Sequence, residues 1–454
     1  MERSDFIKLI SLYAALFSIA HLLIEKFTPR HQENFWFLVS LGIIFRLIFS
    51  VAIPNLSQDF YRFLWDGRLL IQGVSPYLFT PEIHLQELEI ANENNLRNLT
   101  FEVPQARQLF EGMGGLNASH FSNYPPMNQF LFAIAALFAG NNILGSVIVL
   151  RIIIILADLG ILYFGKKLLV LLSLPQRNIF LYFLNPFIII ELTGNLHFEG
   201  VMLFFFVWAL YLLFKGKWLW AAVLIGISVS VKLIPLVFLP LIIKHFIKSP
   251  KTSQVLEPCE VDPKIKNYNW ITLLKFYLVI GITIVITFLP FLSAEFIHNF
   301  SATIGLWFQN FEFNASVYYV VRWIGFQIVG WNVIATAGKI LPIITFLSVL
   351  GIAFFRKNRA PQQLVISMVF AISIYFLFST TVHPWYIATP LLLSVFTKYK
   401  FPIVWSLMIM LSYSAYGKDG FDEKLWLVSL EYIIVIGYAL WEIILQKKIK
   451  PASF

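Results

Sequence analysis

Cysteine is almost absent from this chain. Cys259 is the single one in 454 residues, so a disulfide framework and a Cys-based metal site are excluded. Charge is scarce too, at 13% of residues, against about 25% in a soluble protein. No Gly-rich loop cradles a phosphate, no His/Cys spacing suits a metal, and no nucleophile elbow occurs. Internal repeats are missing, which counts against the inverted-repeat transporters. The stretch 55–122 holds eight acids and not one lysine.

Apolar residues fill the space. They make up 58% of the chain, with mean hydropathy +0.75. Apolar runs occur near 6–24, 35–54, 124–140, 143–164, 178–192, 198–214, 218–231, 233–247, 271–292, 315–330, 332–355, 361–380, 385–397, 402–416 and 425–445. Many approach the roughly 20 residues that cross a bilayer as a helix. The expectation is an all-α, polytopic helical membrane protein. Several runs are too short, so some are broken or re-entrant. Lys232-Leu233-Ile234-Pro235 is one expected break, since proline removes a helix hydrogen bond. The run 6–24 lacks a small-residue cleavage site before Glu25-Lys26 and reads as a retained helix.

Loop charge sorts the two sides. The net charge of +9 sits largely in short loops, as the positive-inside rule requires, and gives no reason to invoke nucleic acid. Lys166/Lys167/Arg177, Lys215/Lys217, the five lysines from Lys244 to Lys266, Arg356/Lys357/Arg359, Lys398/Lys400 and the Lys447-Lys448-Ile449-Lys450 tail read as cytoplasmic. The loops 193–197, 293–314 and 381–382 lack Lys and Arg and read as outside, as does 55–122. One parity conflict stands: two apolar runs separate 55–122 from Lys166/Lys167, where an odd number is needed. Either 124–140 does not cross, or these lysines break the rule. Five Asn-x-Ser/Thr triplets, at Asn55, Asn98, Asn117, Asn299 and Asn314, fall in the outside loops. They fit glycosylation or, more simply, ordinary loop composition.

Chemistry concentrates in Ser57–Tyr77. A helix there sets Asp59, Arg62 and Asp66 at i, i+3 and i+7 on one face, with Phe60, Phe63, Leu64 and Ile71 on another. That pattern predicts an amphipathic interfacial helix over Asp59 to Ile71, its charged side turned to a water-filled cavity. Asp59 lies about five residues beyond the run 35–54, where a carboxylate can take a proton from an incoming hydroxyl. Its structural alternative is a helix cap. Arg62 and Arg68 can hold an anion, or Arg62 can simply pair with Asp59 or Asp66. Gly73 and Pro76 suit the turn that ends the helix. Tyr77 reads equally as core or site.

Two more clusters follow. Glu191, Asn195, His197, Glu199 and Lys232 are polar residues amid apolar sequence. A buried ammonium needs an anion, so Lys232 meets a phosphate or snorkels to the interface. His197 can be structural or part of a site. His383-Pro384-Trp385-Tyr386 follows Ser379-Thr380-Thr381 in an uncharged loop, where Trp and Tyr can also be interface anchors. Asn123-Tyr124-Pro125-Pro126 opens the helix after the long loop.

The residues Asp59, Tyr61-Arg62, Asp66-Gly67-Arg68, Gly73 and Ser75-Pro76-Tyr77, with Tyr124-Pro125-Pro126, resemble the GT-C superfamily of polyprenyl-phosphate-sugar-dependent glycosyltransferases. The bacterial multi-pass mannosyltransferase-like group is nearest, and the catalytic subunit of GPI mannosyltransferase I is more distant. Asn185-Pro186, Gly194-Asn195-Leu196-His197, Lys232-Leu233-Ile234-Pro235 and His383-Pro384-Trp385-Tyr386 continue the resemblance in order. It implies one GT-C-type transmembrane domain over 1–454, with about 12–14 membrane helices of bilayer-spanning or shorter length. The stretch 55–122 would be an extracytoplasmic loop carrying the catalytic motif. The implied reaction is inverting transfer of a sugar, mannose first among candidates, from a polyprenyl phosphate to a hydroxyl of a glycan, glycolipid or protein. The implied setting is a bacterial inner membrane with the site facing the periplasm. Asp59 would be the base. Lys232 with Arg62 or Arg68 would take the phosphate charge, and His197, His383 and Tyr386 would line the donor pocket. Asp66, Gly73, Tyr77 and Tyr124 would shape the site. No cofactor is implied, and no metal is required where side-chain cations take the charge. Gln58 stands where relatives often carry a first acid, so Asp59 is the sole base candidate there. The extra segment 6–24 leaves the N-terminal orientation open. A lipid-linked oligosaccharide flippase or transporter would use a similar cavity without a base, and a non-catalytic assembly subunit would tolerate loss of every charge in 57–77.

Overall fold

A computed structural model describes residues 3–27, 32–93, 101–247, 269–418 and 420–448. Cys259, the triplet at Asn98, Lys248, Lys251, Lys264, Lys266 and Ile449-Lys450 lie outside the described residues. Among the described residues the fold is all-α. Its strands are limited to a hairpin that pairs Tyr416–Gly417 with Gly420–Phe421.

Among the described residues six helices are long and apolar enough to cross a bilayer: Phe6–Phe27, Ile143–Leu171, Trp270–Phe291, Ile334–Phe355, Pro361–Phe378 and Leu425–Ile444. A broken pair, Pro186–Gly194 and Glu199–Phe214, bends by 115°. Seven further apolar helices among the described residues run 10–17 residues, so the expected mixture of long apolar helices and short segments is present. The Lys232 break is also present. Helix Trp218–Val231 stops there, Lys232 is extended, and Pro235 opens a short 3-10 turn.

In chain order, α1 (Phe6–Phe27) and α2 (Gln32–Leu47) form a hairpin before the long loop. Arg3 donates to the Gln58 side chain at 3.3 Å, so the chain start and the start of the loop share one end of the molecule. That answers the orientation of the extra N-terminal segment relative to Asp59. The loop itself folds as α3 (Asp59–Ile71), α4 (Pro81–Glu93), α5 (Ala106–Met113) and α6 (Gly115–Ala118). Helix α3 has the expected limits. Ser57 Oγ accepts from the Asp59 amide at 3.3 Å at its start. At its end Gly73 takes φ +77°, which a side chain would strain, and the Val74 amide returns to the Leu69 carbonyl.

The parity conflict has a geometric answer. The chain passes from the loop into α7 (Pro126–Ala139) and then α8 (Ile143–Leu171). Tyr124, just before α7, reaches Asp59. Asn141, just after it, accepts from Arg68. Both ends of α7 therefore stay beside α3, and the contact is so close that a Cβ at Gly67 would meet the Phe132 carbonyl oxygen at 2.3 Å. At 14 residues, α7 is only about 21 Å long, short of the roughly 30 Å hydrocarbon core. Helix α8, at 29 residues, runs about 44 Å and alone carries the chain to the far end. The basic loops assemble at that end. Lys166 lies 4.4 Å from the Phe35 ring, Gln362 donates to the Leu172 carbonyl, Lys244 donates to Phe354 and Arg356 carbonyls, and His245 to Arg359.

Backbone breaks in an apolar interior leave carbonyls without partners, and each must be satisfied internally. Arg151 on α8 does this. Its guanidinium donates to the carbonyls of Thr193 (2.9 Å), Ser50 (3.0 Å), Ala52 (2.8 Å) and Gly194 (3.1 Å). It thereby ties the end of the α2 segment to the bend at 193–198. Residues Ile189–Gly194 there form a π-helix, and Leu196 takes φ +63°. Hydrogen bonds to a charged donor contribute roughly 1.5–3 kcal/mol each. Arg151→Met should therefore destabilise the protein by roughly 3 kcal/mol or more. The exposed pair Arg107–Glu89 should lose under about 1 kcal/mol in Arg107→Met. Thermal unfolding of both variants in detergent checks this, and equal shifts would refute the clamp.

Candidate active site

The site forms where three separate pieces of chain meet. The first is the start of α3. Asp59 is its first residue and is partly exposed, and its Oδ2 accepts from the Tyr124 hydroxyl at 3.4 Å. Burial raises its carboxyl to about 6, with Lys232 drawing it down and Glu199 pushing it up. The second piece is the bend before helix Glu199–Phe214 together with the Lys232 break. Lys232 Nζ donates to Glu199 Oε1 in an ion pair whose acid is fully buried. The ammonium also lies 6.0 Å from the Tyr386 ring. The third piece is 383–386. The rings of His197 and His383 both stack on Trp385, at 3.6 and 4.6 Å between centroids. His383 is pushed down to about 3, by burial first and then by Lys232, so it is neutral at pH 7.

Three polar atoms in this cluster are buried without a hydrogen-bond partner: His197 Nε2, Glu199 Oε2 and His383 Nδ1. Buried polar groups ordinarily have partners, so an unmet set in one place has chemical meaning. These atoms can bond a ligand rich in hydroxyls or phosphoryl oxygens. Among the described residues no group of three or more His, Cys, Asp or Glu is placed to hold a metal ion.

The structure thus brings together Asp59, Tyr124, His197, Lys232, His383 and Tyr386 of the expected residues. It removes others. The charged face of α3 does not look onto a water-filled cavity, because α5 and the turn 117–122 close over it. Arg62 Nε pairs with Asp66 at 2.7 Å, and Arg62 NH1 donates to the carbonyls of Asn117 and His120. Asp66 also accepts from Ser122 at 2.5 Å and Gln129 at 3.0 Å. Arg68 donates to the Pro104 and Asn141 carbonyls and to Gln105. Both arginines fasten the cap to α3, and each keeps one buried nitrogen, Arg62 NH2 and Arg68 Nε, without a partner. Tyr77 is core, ringed by Phe291, Phe296 and Phe300, yet its hydroxyl donates to the Tyr124 carbonyl at 2.6 Å and so helps hold the Asp59 partner. Gly73 acts through the turn alone.

Sequence reasoning grouped Glu199 with Lys232 but gave it no role, and it missed Trp385 as the platform for both histidines. The signal for Glu199 was an acid two residues after His197 at a helix start. Trp385 carried no local signal, since its partners are remote in sequence.

This arrangement belongs to an all-α, multi-pass membrane protein in which a cluster of unmet polar atoms lies near a partly exposed carboxylate. The chain belongs to the family described as alpha-(1->6)-mannopyranosyltransferase, N-terminal domain, which matches residues 7–248. It is similar to alpha-(1->6)-mannopyranosyltransferase A of Corynebacterium glutamicum, with 21% identity over 45% of this chain and 39% of that protein. The protein of the same name from Mycobacterium tuberculosis is 21% identical over 46% of this chain and 37% of its own length. The match thus spans about two-fifths of each relative. It reaches Asp59, His197, Glu199 and Lys232, while 383–386 lie beyond residue 248 of the family match.

With Arg68 spent on carbonyls, Arg68→Met should lower thermal stability by about 1.5–3 kcal/mol. Binding of a labelled polyprenyl-phosphate sugar should change less than about twofold. A selective loss of donor binding without loss of stability would restore Arg68 to the donor site.

Proposed function

We propose that this protein is an inverting glycosyltransferase that moves a sugar, mannose first among candidates, from a polyprenyl phosphate to an acceptor hydroxyl. The observation that carries this reading is the convergence of Asp59 and Lys232. A carboxylate that can accept a proton lies near enough to an ammonium that can stabilise a phosphate for the ammonium to draw its pKa down. The family and the names of the two relatives support mannosyl transfer.

In the proposed reaction the acceptor oxygen attacks the anomeric carbon on the face opposite the phosphate. Asp59 takes the hydroxyl proton as the new C–O bond forms. The bond from the anomeric carbon to the phosphate oxygen breaks, and its electron pair leaves with the lipid phosphate. An ammonium has three N–H donors. Glu199 takes one and orients the group, leaving two for phosphate oxygens, where preorganised charge lowers the barrier. Glu199 Oε2 accepts from a sugar hydroxyl, His197 Nε2 and His383 Nδ1 bond the donor sugar and phosphate, and Tyr386 walls the site. Tyr124 steadies Asp59.

We assign 1–454 to one transmembrane domain and 55–122 to its extracytoplasmic cap, facing the periplasm of a bacterial inner membrane. The assembly of basic loops at the end remote from Asp59 supports that orientation.

Asp59→Asn keeps the shape and removes the proton acceptor. Turnover should fall roughly 10²–10⁴-fold with folding and donor binding retained, and a variant above half of normal turnover refutes the assignment. The raised carboxyl also fixes a pH limb. Below about 6 Asp59 is protonated and cannot accept a proton, so kcat/KM should rise with pH through about 6 and level off by neutrality. A rate flat from pH 5 to 8 would count against it. Lys232→Met retains the apolar stem without the charge, so donor affinity should weaken roughly ten- to a hundred-fold while acceptor affinity holds. Unchanged donor affinity would remove Lys232 from the phosphate site.

A further inference from the structure

Of the five Asn-x-Ser/Thr triplets, the one at Asn314 has a structural setting unlike a loop surface. Asn314 is fully buried, and its backbone takes φ +47°. Left-handed backbone is costly for most side chains and least so for the short polar ones of Asn and Asp. The residue is anchored at three points. Its amide N–H donates to Glu423 Oε1 at 2.7 Å, and its carbonyl accepts from the Tyr432 hydroxyl at 2.7 Å. Its Nδ2 donates to the two oxygens of Glu431, each at 3.3 Å. Glu431 also accepts from Trp405 Nε1 at 3.0 Å. Glu431 and Tyr432 lie on the last helix, Leu425–Lys448, and Glu423 lies just before it. A buried amide held in this way is not presented as a glycan acceptor in the folded protein.

The neighbouring residues carry this anchorage to His383. Phe313, next to Asn314, forms a parallel bridge with Thr381. Its amide donates to the Thr380 carbonyl at 3.1 Å, and its carbonyl accepts from the Val382 amide at 2.8 Å. The Thr381 hydroxyl donates to the Phe311 carbonyl at 3.0 Å. His383 follows Val382 directly, and its ring lies 5.2 Å from that of Phe313. The stretch 311–314 joins two helices, Ala294–Gln309 and Val317–Val329, and has no helical hydrogen bonds of its own. Its bridge to 380–382 is therefore only as firm as the anchor at Asn314. The residue type meets two demands at once. Glycine would take the backbone turn but lose the bond to Glu431. Aspartate would take it too, but would set a second carboxylate against the first.

We propose that Asn314 is a positioning residue: it locks 311–314 to the last helix and, through the bridge to 380–382, aims the unpartnered His383 Nδ1 at the sugar donor. The inference rests on the transferase reading above. It gives the last helix, far beyond residue 248 where the family match ends, a part in the reaction without contact with substrate.

The test uses the full chain in lipid nanodiscs with Asn314→Gly, Glu431→Leu and Glu431→Gln. The first keeps the backbone turn and removes the amide. The second removes the acceptor. The third keeps the shape and an oxygen for Trp405 and Asn314. Without donor, the rate of diethylpyrocarbonate modification at each histidine, read by mass spectrometry, reports how firmly each ring is held. At His383 it should rise roughly fivefold or more in Asn314→Gly and Glu431→Leu and keep the wild-type value in Glu431→Gln. At His84, buried in the cap, it should not change. Affinity for a labelled polyprenyl-phosphate sugar should fall about three- to tenfold in the first two variants, which corresponds to one hydrogen bond. On a His383→Leu background Asn314→Gly should cause no further loss, since the amide acts through that ring. If Glu431→Leu does not fold, Asn314→Gly against Glu431→Gln carries the comparison. An unchanged rate at His383, a rise shared by His84, donor affinity that holds while the His383 rate rises, or losses that add to that of His383→Leu each overturn the inference and leave the transferase reading standing. If wild-type protein neither binds the donor nor transfers sugar, the transferase reading fails. The positioning is then judged by the His383 rate alone: the selective rise supports it, and its absence overturns it.

Discussion

The requirement that a buried charge be matched organises this molecule. Four arginines, Arg46, Arg62, Arg68 and Arg151, are almost wholly buried in a chain that is otherwise apolar. Arg46 pairs with Asp158 at 2.8 Å, and its NH1 also donates to the Gly42 and Phe183 carbonyls. Tyr182 completes Asp158. A pair of this kind adds little net stability, because desolvation offsets the attraction, but loss of either partner leaves an uncompensated charge. Its effect is therefore specificity of place: α2 and α8 have one register in which Arg46 finds Asp158. Arg151, higher on α8, then meets the bend at 193–198. The π-helix and the left-handed Leu196 are tolerable only because that guanidinium collects the freed carbonyls. His197 and Glu199 owe their positions to this clamp.

The same requirement separates structure from chemistry within α3. Asp59, Arg62 and Asp66 share a face, yet they differ in satisfaction. Asp66 has Arg62, Ser122 and Gln129 as donors. Asp59 has the Tyr124 hydroxyl, at a long 3.4 Å, and its own helix start. Asp66 is thus spent on its donors. A carboxylate with few donors and partial burial titrates near neutrality, which is what a general base needs. One helix thus supplies both the fastening of the cap and the proposed base, seven residues apart.

Much of this was legible in the sequence where the signal was local. The limits of α3 followed from the charge spacing and from Gly73. The Lys232 break followed from Pro235. The polar triplets around His197 and His383 stood out against apolar surroundings. What was not legible depended on distant carbonyls. Nothing near Arg62 or Arg68 shows that Asn117, His120, Pro104 and Asn141 will point their backbone oxygens at them. An arginine whose partner is a carbonyl looks, in sequence, like an arginine awaiting an anion. The same blindness covers Arg46 with Asp158, 112 residues apart, and Arg3 with Gln58, 55 apart. Loop charge gave the two ends of the molecule. It could not say that α7 stays beside α3, which took the two contacts at Tyr124 and Asn141.

A membrane enzyme acting on a lipid-linked donor has to keep two unlike substrates in one reaction line. The apolar interior suits the lipid end but penalises charge, so the ammonium that meets a phosphate must be held ready without being fully consumed. Glu199 does this for Lys232: one donor is occupied, and the acid's second oxygen remains unmet. The acceptor side has the opposite need, since a glycan arrives hydrated and binds through rings and hydroxyls. In the proposed reaction Asp59 stands at the boundary between these environments, because its task there differs with the state of the site. It must be dry enough to hold a raised pKa and wet enough to lose the proton it takes. First on α3, partly exposed and within the field of Lys232, Asp59 meets both conditions of the proposed reaction.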